Sequence, residues 1–191
     1  MAKYITPKEI REAIGKTKVS QERATIQKLA SLGYNAIMYA YNLGHGSGSA
    51  VGTPIKDGKW RHRTRNLHDS FGSAVYYNGH LIETSIRYVG GELSTKPDPL
   101  TKKTGRQTLN EFFHDSHYGK AKGEMVLVCV AAMHYVKYLE DGTHRGKYHI
   151  QVISAARDYI QQNYSRYFSD KNKTIVLRGI RPISNERDGL L

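Results

Sequence analysis

With 191 residues and a formal charge of +12, from 29 Lys and Arg against 17 Asp and Glu, the chain suits one domain with arms whose surface attracts polyanions. Its one cysteine excludes an internal disulfide, and no segment approaches the roughly 18 apolar residues of a membrane span. The start MAKYITPKEI lacks a secretory apolar run, so a soluble protein assembled in a reducing compartment is expected, with no membrane partner.

Thr6-Pro7-Lys8-Glu9 reads as the start of a short helix, with threonine as cap and proline in the first turn, where its missing N–H costs nothing. A second helix is expected from Ser20. Ile26, Leu29, Ala30, Gly33, Ala36, Ile37, Ala40 and Leu43 recur at three- and four-residue steps as far as Gly44, flanked by Tyr34, Tyr39 and Tyr41. The stretch GHGSGSAVGTPIKDG, residues 44–58, has five glycines and no periodicity, and reads as a flexible loop. It lacks the GxxxxGK(S/T) pattern of a phosphate-binding loop.

The basic run follows, with Lys59, Trp60, Arg61, Arg63 and Arg65 as candidate contacts to DNA or to another subunit. Guanidinium groups pair with phosphates, and an indole stacks on bases. In an extended chain Arg63 and Arg65 share a face, which suits a phosphate row or an acidic partner strand equally. Two β-prone runs, Phe71 to Tyr77 and His80 to Val89, flank Asn78-Gly79, the dipeptide that accepts the positive φ of a type I′ hairpin turn.

Gly90 to Lys122 reads as an insertion, since about 33 residues is long for a plain connection. Thr108-Leu109-Asn110-Glu111 has capping-box spacing and predicts a short helix through Phe112, Phe113 and His117. Glu124 to Ala132 is apolar almost throughout, the pattern of a central strand covered on both faces, and Cys129 within it reads as a small core residue. A helix is expected from His149 to Phe168, then a strand over Thr174 to Leu177 and a polar tail.

Two constellations invite chemistry. His114 and His117 would share a helix face with Asp115 between them, but a zinc site needs at least three protein ligands and no further one has suitable spacing. Glu140 and Asp141 lie near His144 and His149, yet Glu-Asp-Gly at an element end is also an ordinary turn. No catalytic residue, metal ligand or cofactor site is assigned, and a non-enzymatic protein is expected.

Two segments together resemble the phage neck and tail-completion family, the proteins that join head to tail in long-tailed bacteriophages. Thr64-Arg65-Asn66-Leu67-His68-Asp69-Ser70-Phe71 is similar to the family's T-G-x-L-x-x-S-(I/V) stretch, through Thr64, Leu67 and Ser70, with Arg65 in place of the usual glycine. Tyr135 to Thr143 resembles its Y-(A/V)-x-Y-(V/L)-E-x-G-T segment, through Tyr135, Tyr138, Glu140, Gly142 and Thr143. The resemblance spans about residues 20–170 in matching order. It implies a homo-oligomeric ring at the head–tail junction of the virion, assembled in the host cytoplasm, with a head-side connector and tail proteins as partners and DNA passing through the centre. A sequence-nonspecific nucleic-acid-binding protein is the alternative that the charge suggests.

The expected fold class is α+β: a small antiparallel β-sheet with a long N-terminal helix and a C-terminal helix packed on it, plus flexible loops and arms. Residues 1–19 are read as an N-terminal arm with a short helix, 20–178 as a single domain containing the loop at 44–58 and the insertion at 90–122, and 179–191 as a C-terminal tail.

Overall fold

A computed structural model describes residues 7–44, 66–86, 94–134, 136 and 153–168. Helix α1 (Pro7–Gly44) is followed by a single 3-10 turn (His68–Ser70), strands β1 (Phe71–Tyr77) and β2 (His80–Ile86), helix α2 (Gly105–Asp115), strand β3 (Met125–Ala131) and helix α3 (Ile153–Tyr167). The sheet is antiparallel with order β2-β1-β3. The class is α+β, with the long N-terminal helix and the C-terminal helix on the sheet, as the sequence leads one to expect.

Two apolar cores lie on opposite faces of the sheet. On one, α1 contributes Leu32, Ala36, Ile37, Ala40 and Tyr41, α3 contributes Ala155, Ala156 and Ile160, and Phe71 and Ala131 come from the strands. On the other, Leu109, Phe112 and Phe113 of α2 cover Ala74, Tyr76, Val128 and Val130. Asn78 and Gly79 both have positive φ, 53° and 81°, as the hairpin reading requires. The register slips between Val75 and Tyr76, which face Glu83 and Leu81, so Ile82 is the extra residue of a bulge.

Three expectations are corrected. The break at Ser20 is absent, and α1 is one helix of 38 residues. No proline interrupts it after its first residue, and the hydroxyls of Thr17 and Thr25 donate to the carbonyls of Ala13 and Gln21, four residues back, instead of capping a new start. Helix α2 begins three residues before the expected cap: Thr104 and Gln107 form the capping box, Thr108 sits inside the helix with its hydroxyl on Thr104 O, and the helix stops before His117. Finally, β1 and not β3 is the central strand; among the described residues β3 forms an edge. Its sequence is apolar on both faces because α1 and α2 cover both faces of the sheet out to this edge.

The insertion is therefore part of the fold, since its helix closes the second core. The loop at 45–58, the strand expected at Thr174 to Leu177 and the tail lie outside the described residues.

Candidate functional site

Of the motif and contact residues singled out from sequence, Leu67 and Ser70 are described, and they stand in a buried polar clamp at the head of β1. Lys59, Trp60, Arg61, Arg63, Thr64, Arg65, Tyr135, Tyr138, Glu140, Gly142 and Thr143 lie outside the described residues. Ser70 is fully buried; its hydroxyl donates to Leu67 O at 2.8 Å, and its carbonyl accepts from Ala132 N–H at 3.1 Å. Leu67 precedes the strand and packs into the α1–α3 core.

Three neighbours that the sequence reading passed over do more. The Asn66 amide donates from Nδ2 to Lys96 O and accepts at Oδ1 from Gly105 N–H, both at 3.0 Å. The Asp69 carboxylate holds His68 Nδ1 at 2.6 Å through one oxygen and accepts Ser94 N–H at 2.6 Å through the other. His68 meets the Tyr41 ring edge-on with centroids 5.3 Å apart, so the clamp links α1, β1, the 94–103 loop and the start of α2. Asn66, His68, Asp69 and Ser70 are all buried, and burial of polar groups is tolerated because they are hydrogen-bonded. Their signal in the sequence is a shift from arginines to short residues that bond backbone groups.

The second feature is the free half of α1. Lys8 and residues 11–21 are exposed, including Ile14 at 63% and Val19 at 64%. Burial begins near Glu22, whose carboxylate accepts the Tyr77 hydroxyl at 2.8 Å. From there an open cleft runs between α1 and β2. Its two parts, ≈ 560 and ≈ 340 Å³, share Gln27 and Glu83, and the bulge places Ile82 beside Val19 and Ile26 at the outer end.

Of the two histidines read as a possible ligand pair, His114 lies in the last turn of α2 and His117 beyond its end. No group of three or more His, Cys, Asp or Glu suited to a metal ion occurs among the described residues, and no described helix is long and apolar enough to cross a membrane. Comparison with protein-family models, with curated proteins and with solved structures gives no match to this chain.

Two ionisable groups in or against the cores are shifted furthest among the described residues. Burial pushes the Cys129 thiol from its ordinary 9.0 up to about 12. Burial, with the neighbouring Tyr118, pushes Tyr76 from 10.0 to about 12, and its hydroxyl donates to Phe113 O at 2.8 Å. Both protons are held more tightly in the folded chain, so the unfolded chain ionises first. Their contribution to stability is complete below about pH 9 and is lost as the pH rises to about 12. Thermal unfolding followed by circular dichroism should show a melting temperature that falls across this window. Cys129→Ala should make the fall shallower; an unchanged slope would show that the thiol ionises equally easily in both states.

Proposed function

We propose that this chain is a structural subunit of a phage neck or tail-completion ring at the head–tail junction, joining a head-side connector to the tail around the DNA. The observation that carries the reading is the N-terminal part of α1, where Ile14 and Val19 stand exposed on about three turns of helix that are little packed among the described residues. Isolated helices of this length are marginal in water, and most helix stability in proteins comes from packing an apolar face. A neighbouring subunit supplies that packing in a closed ring, where each copy offers one surface and receives another.

The resemblance of Thr64 to Phe71 and of Tyr135 to Thr143 supports the reading independently, as does the order of a long helix, a small antiparallel sheet and a C-terminal helix. In the described part of the motifs, Leu67 and Ser70 have structural roles that an assembly domain needs and catalysis does not.

Ile14→Glu/Val19→Glu should leave the far-ultraviolet circular dichroism spectrum and the cooperative melt of the purified protein nearly unchanged. The same protein should be lost from assembled particles, with heads and tails accumulating unjoined in electron micrographs. Normal joining in particles that lack the protein altogether would sink the proposal.

A further inference from the structure

The clamp ties a second basic segment to Asn66, the residue that follows the basic run Lys59 to Arg65 in sequence. In sequence Lys96, Lys102, Lys103 and Arg106 lie about 30 to 40 residues beyond the run Lys59 to Arg65. The Asn66 side chain, one residue after Arg65, spans from Lys96 O to Gly105 N, each 3.0 Å away. The loop between is closed on itself, with Asp98 N–H donating to Lys103 O at 2.9 Å and Lys102 N–H to Asp98 O at 2.8 Å. Four cations thus fall on one short segment of the chain.

The acids nearby are turned to other work. Asp69 is buried and holds His68 and Ser94. Asp98 is 8% exposed and accepts the N–H groups of Leu100 and Thr101. Glu111 pairs with Lys103. Lys96 and Lys102 are exposed, and Arg106, which is partly buried, has its Nε enclosed without a hydrogen-bond partner. Inside carboxylates with outside ammonium groups leave a locally positive face on a hydrogen-bonded loop.

We propose that Lys96, Lys102 and Arg106 form a binding face for the phosphodiester backbone of duplex DNA, presented by the 94–106 segment. The favoured partner is a polyanion and not an acidic protein, because the loop presents a single large exposed apolar side chain, Leu100, beside its exposed lysines. Contacts of this kind read no bases, as suits a protein that meets whatever sequence passes. The inference rests on the ring reading only for DNA as the natural polyanion.

The test is fluorescence anisotropy of a labelled random-sequence duplex with the purified full chain, titrated across a sodium chloride series. Each lost phosphate contact reduces the slope of log affinity against log salt by about 0.9. Lys96→Ala/Lys102→Ala/Arg106→Gln should therefore lower the slope by about 2.7, and affinity on the order of a hundredfold or more near 0.1 M salt. A second variant, Lys96→Ala/Lys102→Ala, changes only exposed side chains and should give about two thirds of the slope change without touching the fold. The control, Lys8→Ala/Lys16→Ala/Lys18→Ala, removes three charges from the free half of α1 and should leave most of the slope intact. Equal losses in the patch and control variants would overturn the proposal, because net charge would then explain both. So would wild-type DNA affinity in the patch variant, even if that variant failed to join heads to tails, since an acidic protein would then be the partner. Reduced DNA affinity in a protein that never enters a particle would keep the patch and remove the ring.

Discussion

Asp69→Ala should cost about 3–5 kcal/mol of unfolding free energy, the loss expected when one member of a buried pair is removed. The carboxylate is 3% exposed and engages the buried His68 Nδ1 and the part-buried Ser94 N–H, each at 2.6 Å. Alanine removes this acceptor from both and opens a small void, and a buried polar group that loses its acceptor costs about 1–3 kcal/mol. Asp69→Asn separates the parts of the effect. The amide oxygen still accepts from Ser94, while the amide nitrogen requires His68 to present Nδ1 as an acceptor, which the other neutral tautomer does. Asparagine should therefore cost less than half as much as alanine. Urea unfolding followed by circular dichroism reads both, and a loss below about 1 kcal/mol for alanine would show that the clamp does not hold the fold. Total stabilities of domains run to about 5–15 kcal/mol, so the alanine variant should be partly unfolded at body temperature if the parent is near the lower end.

Gly105→Ala should be destabilising by about 3 kcal/mol or more, against the trend of helix propensity, which favours alanine over glycine by about 1 kcal/mol. A Cβ built at this position stands 1.8 Å from Asn66 O and 2.7 Å from Asn66 C. These are backbone atoms, and Asn66 is tied by its side chain to Gly105 N and Lys96 O, so it has no room to withdraw without breaking the clamp. Gly15→Ala is the matched contrast. Nothing lies within 4 Å of its Cβ, and the helix there is exposed, so alanine should raise helicity and leave stability equal or up to about 1 kcal/mol higher. Opposite signs at two helical glycines, measured by urea unfolding, would establish that the Asn66 contact and not the helix sets the demand at Gly105. Matching signs would refute it.

The elements legible in the sequence are those whose cause is local. Asn78-Gly79 names its own turn, and the Ala- and Gly-rich stripe from Ala30 to Ala40 is buried as its spacing indicates. Tyr41 departs from its expected flanking position: it is 5% exposed and meets Phe71 and His68 edge-on, contacts set by where the chain returns some 27 residues later. The clamp was hidden for the same reason. In KWRHRTRNLHDS the cations dominate, and Asn66, His68 and Asp69 look like more polar surface until Ser94, Lys96 and Gly105, 25 to 39 residues away, supply their partners. The apolar run of β3 declared two covered faces correctly but carried no information on its neighbours in the sheet, because side-chain alternation reports faces and hydrogen-bonded edges are made by backbone.

Gly33 sets the angle of a lever. A side chain there would meet Leu127 Cδ1 at 2.6 Å and Ser73 Oγ at 2.7 Å, so the α1 backbone rests almost directly on the sheet at that point. At about 1.5 Å per residue, Lys8 lies some 37 Å further along the axis. A tilt of about 10° at Gly33 therefore carries the tip through about 6 Å, more than the spacing between neighbouring strands. The seat of one hydrogen-sized side chain thus governs where the far end of the molecule points, and small changes of packing under the helix are magnified into changes of reach.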